Sequence, residues 1–446
     1  MTTKQRLTLA ATILGSGIVI LDGTVVNIAL PHISSDLGAG FSGLQWIVNG
    51  YLLTLSALLL LGGSLGDIFG RKKMYVIGLV GFGLSSLLCG LAPSTSFLVA
   101  ARALQGVFGA LLVPGGLANI TANFEKSARA GAIGTWTAWS ALSAAIGPTL
   151  GGYIVDTMSW RWIFIINVPL VIVCCILAVL GMKESRSSAK ARRIDVPGAG
   201  FAAISLAGLT YGLIEGPNRQ WDGVALLSIG IGVLAILAFL WRERQTADPM
   251  VKLQLFGSRN FSGANLMTFT MYGALSAFLF ALVIHLQTVL GYSGTKAGLS
   301  LIPITAMLLL LSARAGRLAG QYGPRRFMTA GPIIASIGIL YLYGLESGAG
   351  YLTSVLPGVL LFATGLAVTV SPLTITVMGA VADEDSGIAS GINNAVSRVA
   401  GLVTVAVLGL FDSSKLYQST IVLCFVMTFA AGLLSLWLIR TPQKEV

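Results

Sequence analysis

Apolar residues in this sequence gather into runs of about twenty, separated by short polar segments. That length spans the hydrocarbon core of a bilayer. The runs predict membrane-spanning helices at 7–31, 44–62, 74–92, 97–119, 131–154, 162–182, 198–215, 223–241, 261–289, 297–315, 327–345, 351–378, 387–410 and 418–439. The expected fold is therefore an all-α membrane protein with about fourteen transmembrane helices, and the even count puts both termini on one side. Lys4 and Arg6 precede the first run as they would in a signal peptide, but the run continues to about residue 31, carries Asp22 and meets no small-residue cleavage site.

Composition agrees with this pattern. Charged residues make up 10% of the chain and hydrophobic residues 55%, whereas a soluble domain carries roughly 25% charged residues. So few charges cannot cover a water-facing surface. The 55 glycines suit close helix crossings in lipid. The net charge of +11 does not indicate nucleic acid, because the basic residues cluster between apolar runs. Cys89, Cys174, Cys175 and Cys424 all fall inside apolar runs without metal-ligand spacing, and read as packing residues.

Lysine and arginine set the orientation. With the N-terminus inside, 22 of the 28 basic residues fall in cytoplasmic segments and four, Arg161, Arg219, Lys296 and Lys415, fall outside. Arg102 and Arg398 lie within spans. The long polar stretches 183–197 and 242–260 bracket two spans and leave six on either side. The expected organisation is an N-terminal six-helix bundle at 1–182, loops and two inserted helices at 183–260, and a C-terminal six-helix bundle at 261–446. Gly63-Ser-Leu-Gly-Asp-Ile-Phe-Gly-Arg-Lys72 follows the second span of the first bundle, and Gly316-Arg-Leu-Ala-Gly-Gln-Tyr-Gly-Pro-Arg325 follows the second span of the second. A repeated loop at equivalent places is the mark of parallel repeats.

In the loop at 63–73, Gly63 and Gly70 permit a tight turn, Asp67 can cap a helix or pair with a cation, and Arg71, Lys72 and Lys73 hold a cytoplasmic face. These residues resemble the signature loop of the major facilitator superfamily, where it latches two bundles in one access state. The second copy has Gly320 in place of the acid. Span 5 carries Ser143-Ala-Ala-Ile-Gly147-Pro148-Thr-Leu-Gly151-Gly152, where Pro148 kinks the helix and the glycines allow close crossing. This stretch resembles the antiporter motif of exporters in that superfamily, with Ser143 at the place of the first glycine. Leu21-Asp-Gly-Thr-Val-Val-Asn-Ile-Ala-Leu-Pro31, Trp160-Arg-Trp-Ile-Phe-Ile-Ile-Asn-Val-Pro169 and Ser390-Gly-Ile-Asn-Asn-Ala-Val-Ser-Arg398 are similar to stretches of the 14-span drug:proton antiporters within it. One departure is the short connection at 411–417.

Asp22 is the one acid deep in the first bundle. Placing an aspartate at a span centre costs roughly 2.5–3.5 kcal/mol on insertion scales, so such a residue has a partner and a task. Arg102 belongs to Arg102-Ala-Leu-Gln-Gly106, which matches a superfamily pattern. At a 1.5 Å rise per residue, Asp22 lies about 13 Å below the outer end of its span and Arg102 about 8 Å below the outer end of its own. The two are therefore expected to interact in one state and to carry proton coupling: arginine favours ionised Asp22, and separation favours its protonation. The competing role for Arg102 is a structural clamp bonded to backbone carbonyls. Arg398, Asn393, Gln287, Glu215 and His285 are weaker candidates for lining a cavity. Arg398 can serve an ion pair, the substrate or the structure, Glu215 can be interfacial, His285 is a packed polar residue or a proton carrier, and Gln287 and Asn393 can bond helix to helix. Asn265 and Asn394 share that choice. Asp383-Glu-Asp385 reads as a solvated helix cap.

The chain has two histidines, no H-E-x-x-H and no G-x-x-x-x-G-K-[ST], so neither a catalytic zinc site nor that ATP-binding device is encoded. No enzyme, metal or cofactor is expected, and the proton is the expected coupling ion. The resemblance implies a monomeric exporter in a bacterial-type inner membrane, moving a small amphipathic or cationic substrate through a pathway between the bundles. Trp136, Trp139, Phe278 and Phe280 are candidates for an apolar wall. The alternatives are another cargo on the same fold (a lipid, an endogenous antibiotic or a metabolite, exported or taken up) and, more remotely, a transport-inactive sensor or membrane enzyme.

Overall fold

Backbone groups in lipid have no water to bond, so an apolar run must close its hydrogen bonds within itself, as a helix does. The computed structural model, which describes residues 1–186, 195–246, 249–382 and 385–440, meets this condition with helices and no strand among the described residues. In order these are α1 (Thr3–Leu37), α2 (Phe41–Phe69), α3 (Arg71–Gly90), α4 (Thr95–Asn123), α5 (Lys126–Thr157), α6 (Trp162–Ile165), α7 (Asn167–Gly181), α8 (Val196–Glu215), α9 (Gly223–Gln245), α10 (Arg259–Thr288), α11 (Gly294–Ser300), α12 (Ile302–Tyr322), α13 (Pro324–Tyr341), α14 (Leu356–Gly379), α15 (Ser386–Val407) and α16 (Leu416–Leu438).

Twelve helices among the described residues are long and apolar enough to cross a membrane. Two of the fourteen expected spans fall short of that measure, although both are helical. The span at 131–154 lies in the 32-residue α5, whose Gly, Ala, Ser and Thr side chains dilute its apolarity. The span at 327–345 lies mostly in the 18-residue α13, which opens on Pro324, Arg325 and Arg326. Of the acidic run at 383–385, Asp383 and Glu384 lie outside the described residues; Asp385 pairs with Lys252 at 2.5 Å.

The chain forms two compact units: Met1–Met250 with Ser293–Gly298, and Val251–Tyr292 with Leu299–Val446. In the first, α2 lies against α4 because glycines remove the side chains between them. A methyl group on Gly62 would stand 2.1 Å from the Ala110 carbonyl oxygen, and Gly106 lies as tightly on Tyr51 and Thr54. The hairpin of α8 and α9 closes in the same way through Gly208 and Gly232, and α8 packs on α2. In the second unit Gly331 and Gly338 of α13 face Gly365 and Gly358 of α14. Small residues at crossings replace the hydrophobic driving force that helices lack inside lipid.

The repeated loops also share a backbone. Gly70 joins α2 to α3 at φ 112°, and Gly323 joins α12 to α13 at φ 86°. Both angles favour glycine, which has no Cβ to clash. The four cysteines are free thiols, with Cys89, Cys174 and Cys424 buried.

Candidate functional site

The deepest polar cluster of the first unit is built around Asp22. Its side chain is fully buried, as is that of Arg102. Arg102 donates through Nη1 to Asp22 Oδ2 at 2.5 Å. Gln105, one turn along α4, donates to Asp22 Oδ1 at 2.9 Å, and Asn167 at the start of α7 donates to the same oxygen at 3.2 Å. Arg102 also donates to Gln105 Oε1 at 2.6 Å and to the Ile47 carbonyl at 3.2 Å. Its guanidinium lies 4.3 Å from the centre of the Tyr51 ring and 5.7 Å from that of Phe164. Taking both charges out of water is expensive, and these further bonds offset part of that cost. Arg102, Gln105 and Asn167 each donate to the carboxylate.

The antiporter-like stretch packs beside this cluster. On α5, Gly147 meets Thr24 and Gly151 meets Val25, the residues that follow Asp22 by one half-turn and more. A side chain at either glycine would push α5 off α1. At the next residue, a methyl group on Gly152 would stand 2.2 Å from the Gly294 carbonyl oxygen, and one at Gly298 would stand 2.2 Å from that of Pro148. Asp156 completes the contact: Oδ1 accepts from the Gly294 amide at 2.8 Å, and Oδ2 accepts from the Thr295 amide at 2.8 Å and its hydroxyl at 2.6 Å. Partial burial alone would raise the affinity of Asp156 for a proton, but the bonds from Thr295 and Gly294 outweigh it and hold the carboxyl below the usual aspartate range.

At the end of the unit that carries residue 70, Asp67 pairs with Arg71 at 2.7 Å, one turn apart. Gly63 lies against Pro114. The Arg71 carbonyl accepts from Asn119 at 3.2 Å. Glu184, beyond α7, accepts from the backbone amides of Lys72 and Lys73 at 3.1 Å each and so caps α3. The Trp160-Arg161 pair does structural work at the opposite end. Asp36 accepts from Trp160 at 2.8 Å and from Arg161 at 2.6 Å, and Arg161 reaches the Ala92 carbonyl at 3.0 Å. Arg161 first, then Trp160, hold the Asp36 carboxyl below its ordinary range.

The weaker candidates are distributed. Glu215 accepts from the Trp46 indole at 2.7 Å and ties α8 to α2. Asn393 donates to Asn265 at 3.1 Å and Thr268 at 2.7 Å, which joins α15 to α10. His285 bonds the Leu345 carbonyl at 2.9 Å and stacks on Tyr417, with ring centres 3.7 Å apart. Both rings line a cavity of about 380 Å³ in the second unit, with Phe280 and Glu346 among the other lining residues. Arg398 and Gln287 are half-buried on α15 and α10. Of the aromatic candidates, Trp136 donates to Ser16 at 2.9 Å, Phe278 packs on Phe362 at 4.6 Å, and Trp139 is exposed. The sequence pattern does not set Gln105, Asn167 and Glu184 apart from other polar residues. The signal for the first two was present as amides in otherwise apolar runs, Gln105 three residues after Arg102 and Asn167 two before Pro169.

Comparison with known proteins matches the chain to the sequence model described as Major Facilitator Superfamily, over residues 12–404 and 264–446. The Multidrug resistance protein Stp of Mycobacterium tuberculosis (strain CDC 1551 / Oshkosh) is 36% identical over 411 residues, 92% of this chain and 76% of that protein. The Puromycin resistance protein pur8 of Streptomyces alboniger is 35% identical over 399 residues, 88% of this chain and 78% of that one. Among solved structures, an auto inhibited POT family peptide transporter shares the fold at a TM-score of 0.72 and 14% identity, with 98% of this chain and 99% of the other covered.

Proposed function

The chain belongs to the major facilitator superfamily of membrane transporters, and from that premise we propose that it is a proton-coupled exporter, an antiporter, of hydrophobic or cationic drug-like compounds that works by alternating access. The observation that carries this reading is the buried Asp22–Arg102 pair, 2.5 Å apart. A carboxylate so placed can store and release one proton, provided that its cation stays close in one access state and withdraws in the other. Lipid makes an idle charge expensive, which favours a working role for this one. The cargo class is supported by the similarity to the multidrug and puromycin resistance proteins. The basic-residue asymmetry supports an orientation with both termini on the cytoplasmic face. The glycine face of α5 on α1 supports a tight seal beside the acid, as an antiporter needs to avoid leaking protons.

The test uses inverted membrane vesicles containing the full chain, with ethidium as the transported probe and a pH-sensitive dye. An imposed proton gradient drives ethidium movement in the natural protein and dissipates as it does so. Asp22→Asn abolishes gradient-driven movement and retains downhill exchange. Unchanged coupled export in Asp22→Asn would overturn the proton role of Asp22, and the absence of any gradient-dependent flux of ethidium or other organic cations would overturn the exporter reading.

A further inference from the structure

The orientation of the amide at Asn167 is the unexplained feature of the Asp22 cluster. Its side chain is fully buried. Nδ2 donates both to Asp22 Oδ1 at 3.2 Å and to Ser86 Oγ at 3.0 Å. Ser86 in turn donates its hydroxyl to the Phe164 carbonyl at 2.9 Å, so the oxygen it turns to Asn167 can only accept. This fixes the amide with its NH2 group toward the acid. The consequence is that Asn167 Oδ1 is buried without a hydrogen-bond partner among the described residues. A buried carbonyl left bare is unfavourable. Packing alone does not require an amide here, since an apolar residue of the same size would leave no bare atom.

We propose that Asn167 is a positioning residue for proton coupling: it holds the ionised form of Asp22 in place and, with Ser86 behind it, sets the pH at which that acid takes up its proton. The inference rests on the proton role proposed for Asp22. Three donors converge on the carboxylate, and each has a different anchor. Arg102 brings charge from α4. Gln105 is oriented by Arg102 itself, which occupies its Oε1. The Cys89 thiol of α3 also reaches that Oε1, at 3.7 Å. Asn167 has no bond to Arg102 and is oriented by the stronger bond to Ser86 on α3. If Arg102 withdraws from Asp22, Gln105 loses its stronger orienting contact and keeps only the weak Cys89 thiol, whereas Asn167 keeps its own. It is thus the best-anchored donor to the acid after its cation leaves, and it contributes to how readily a proton then binds. The other titratable groups around the cluster are the Cys89 thiol of α3, 3.7 Å from Gln105 Oε1, and the Tyr51 phenol of α2 beneath the guanidinium. Helices α5, α6 and α7 direct no charged side chain at Asp22 among the described residues.

The experiment is a pH titration of the purified full-length protein by difference infrared spectroscopy, following the carboxylic-acid band that Asp22→Asn removes. Asn167→Leu and Ser86→Ala are compared with the natural protein, with thermal melting in detergent as the control for folding. A hydrogen bond to a charged group is worth about one pH unit of proton affinity, a tenfold change. The band midpoint is therefore expected to move up by about one unit in Asn167→Leu and by less in Ser86→Ala. Asn167→Asp, which keeps the shape and adds a second acid, moves it further. A purely packing role lowers the melting temperature and leaves the midpoint where it was; a midpoint unmoved in the folded variants would overturn the proposal. If Asn167→Leu fails to fold, Ser86→Ala carries the same decision. The reading is taken without transport, so loss of the exporter reading in the vesicle assay and loss of this inference are separate results.

Discussion

Removing Arg102 while keeping its acid should be one of the most damaging single changes in the first unit. In Arg102→Met the apolar side chain fills much of the same space, so packing against Tyr51 and Phe164 is largely kept. The electrostatic partner is lost. With the bonded atoms 2.5 Å apart and charge centres about 4 Å apart, the attraction at an effective dielectric of about 20 is ~4 kcal/mol. Breaking a buried pair from one side costs about 3–5 kcal/mol, because the other charge stays behind. Asp22→Asn leaves Arg102 its bonds to Gln105 and Ile47 and costs less. The double variant lacks both charges, so its deficit falls short of the sum of the two single deficits by about 2–3 kcal/mol. Equilibrium denaturation in mixed micelles at pH 8, followed by tryptophan fluorescence, measures all three. The Arg102→Met deficit should also shrink as pH falls, because a proton on Asp22 removes the stranded charge. Additive single-variant costs, or a deficit independent of pH, would refute the idea that the two residues act as one electrostatic unit.

Two further outcomes follow from the same structure. Gly70→Ala places a Cβ at φ 112°, where it would stand 2.7 Å from the Glu184 carboxyl; it should cost about 1–3 kcal/mol through backbone strain and loss of the α3 cap, and Glu184→Gln, which keeps an acceptor oxygen, should cost less in the same melting assay. Asp156 and Asp36 are held below the ordinary aspartate range, so each contributes stability that is present above about pH 4 and is lost as pH falls through its lowered value. Hydrogen exchange at Gly294 and Thr295, corrected for the intrinsic rate, should then be flat from pH 5 to 8, rise below about pH 4, and be fast at every pH in Asp156→Ala.

What could be read from the sequence follows the cost of each residue in lipid. A run of about twenty apolar residues has few fates, so the helices were legible, including α5, whose small side chains leave it less apolar than its neighbours. Asp22 and Arg102 were legible for the same reason: a charge in a span is too expensive to be accidental. Gln105 and Asn167 are uncharged amides, cheaper to insert and equally suited to helix-to-helix bonding, and nothing local distinguishes the two roles. Glu184 sat in a polar stretch among many charges and became a cap only through its distance to Lys72 and Lys73. The pairing of Gly152 with Gly294 joins residues far apart in the chain, which no local pattern encodes.

The first-span stretch shows why such motifs read clearly while their chemistry does not. Asp22 points to the ion pair, and Thr24 and Val25 point to the glycine face of α5. One helical turn therefore carries an electrostatic demand on one side and a steric demand on the other. Substitution at Gly147 or Gly151 would shift α1 against α5 and, with it, the position of the acid relative to Arg102. A bond of 2.5 Å to a fixed guanidinium tolerates little of that shift. Packing glycines on α5 are thus expected to affect proton coupling without touching a proton, and a Gly151→Ala variant that melts normally yet alters the pH dependence of ethidium movement would carry that mark.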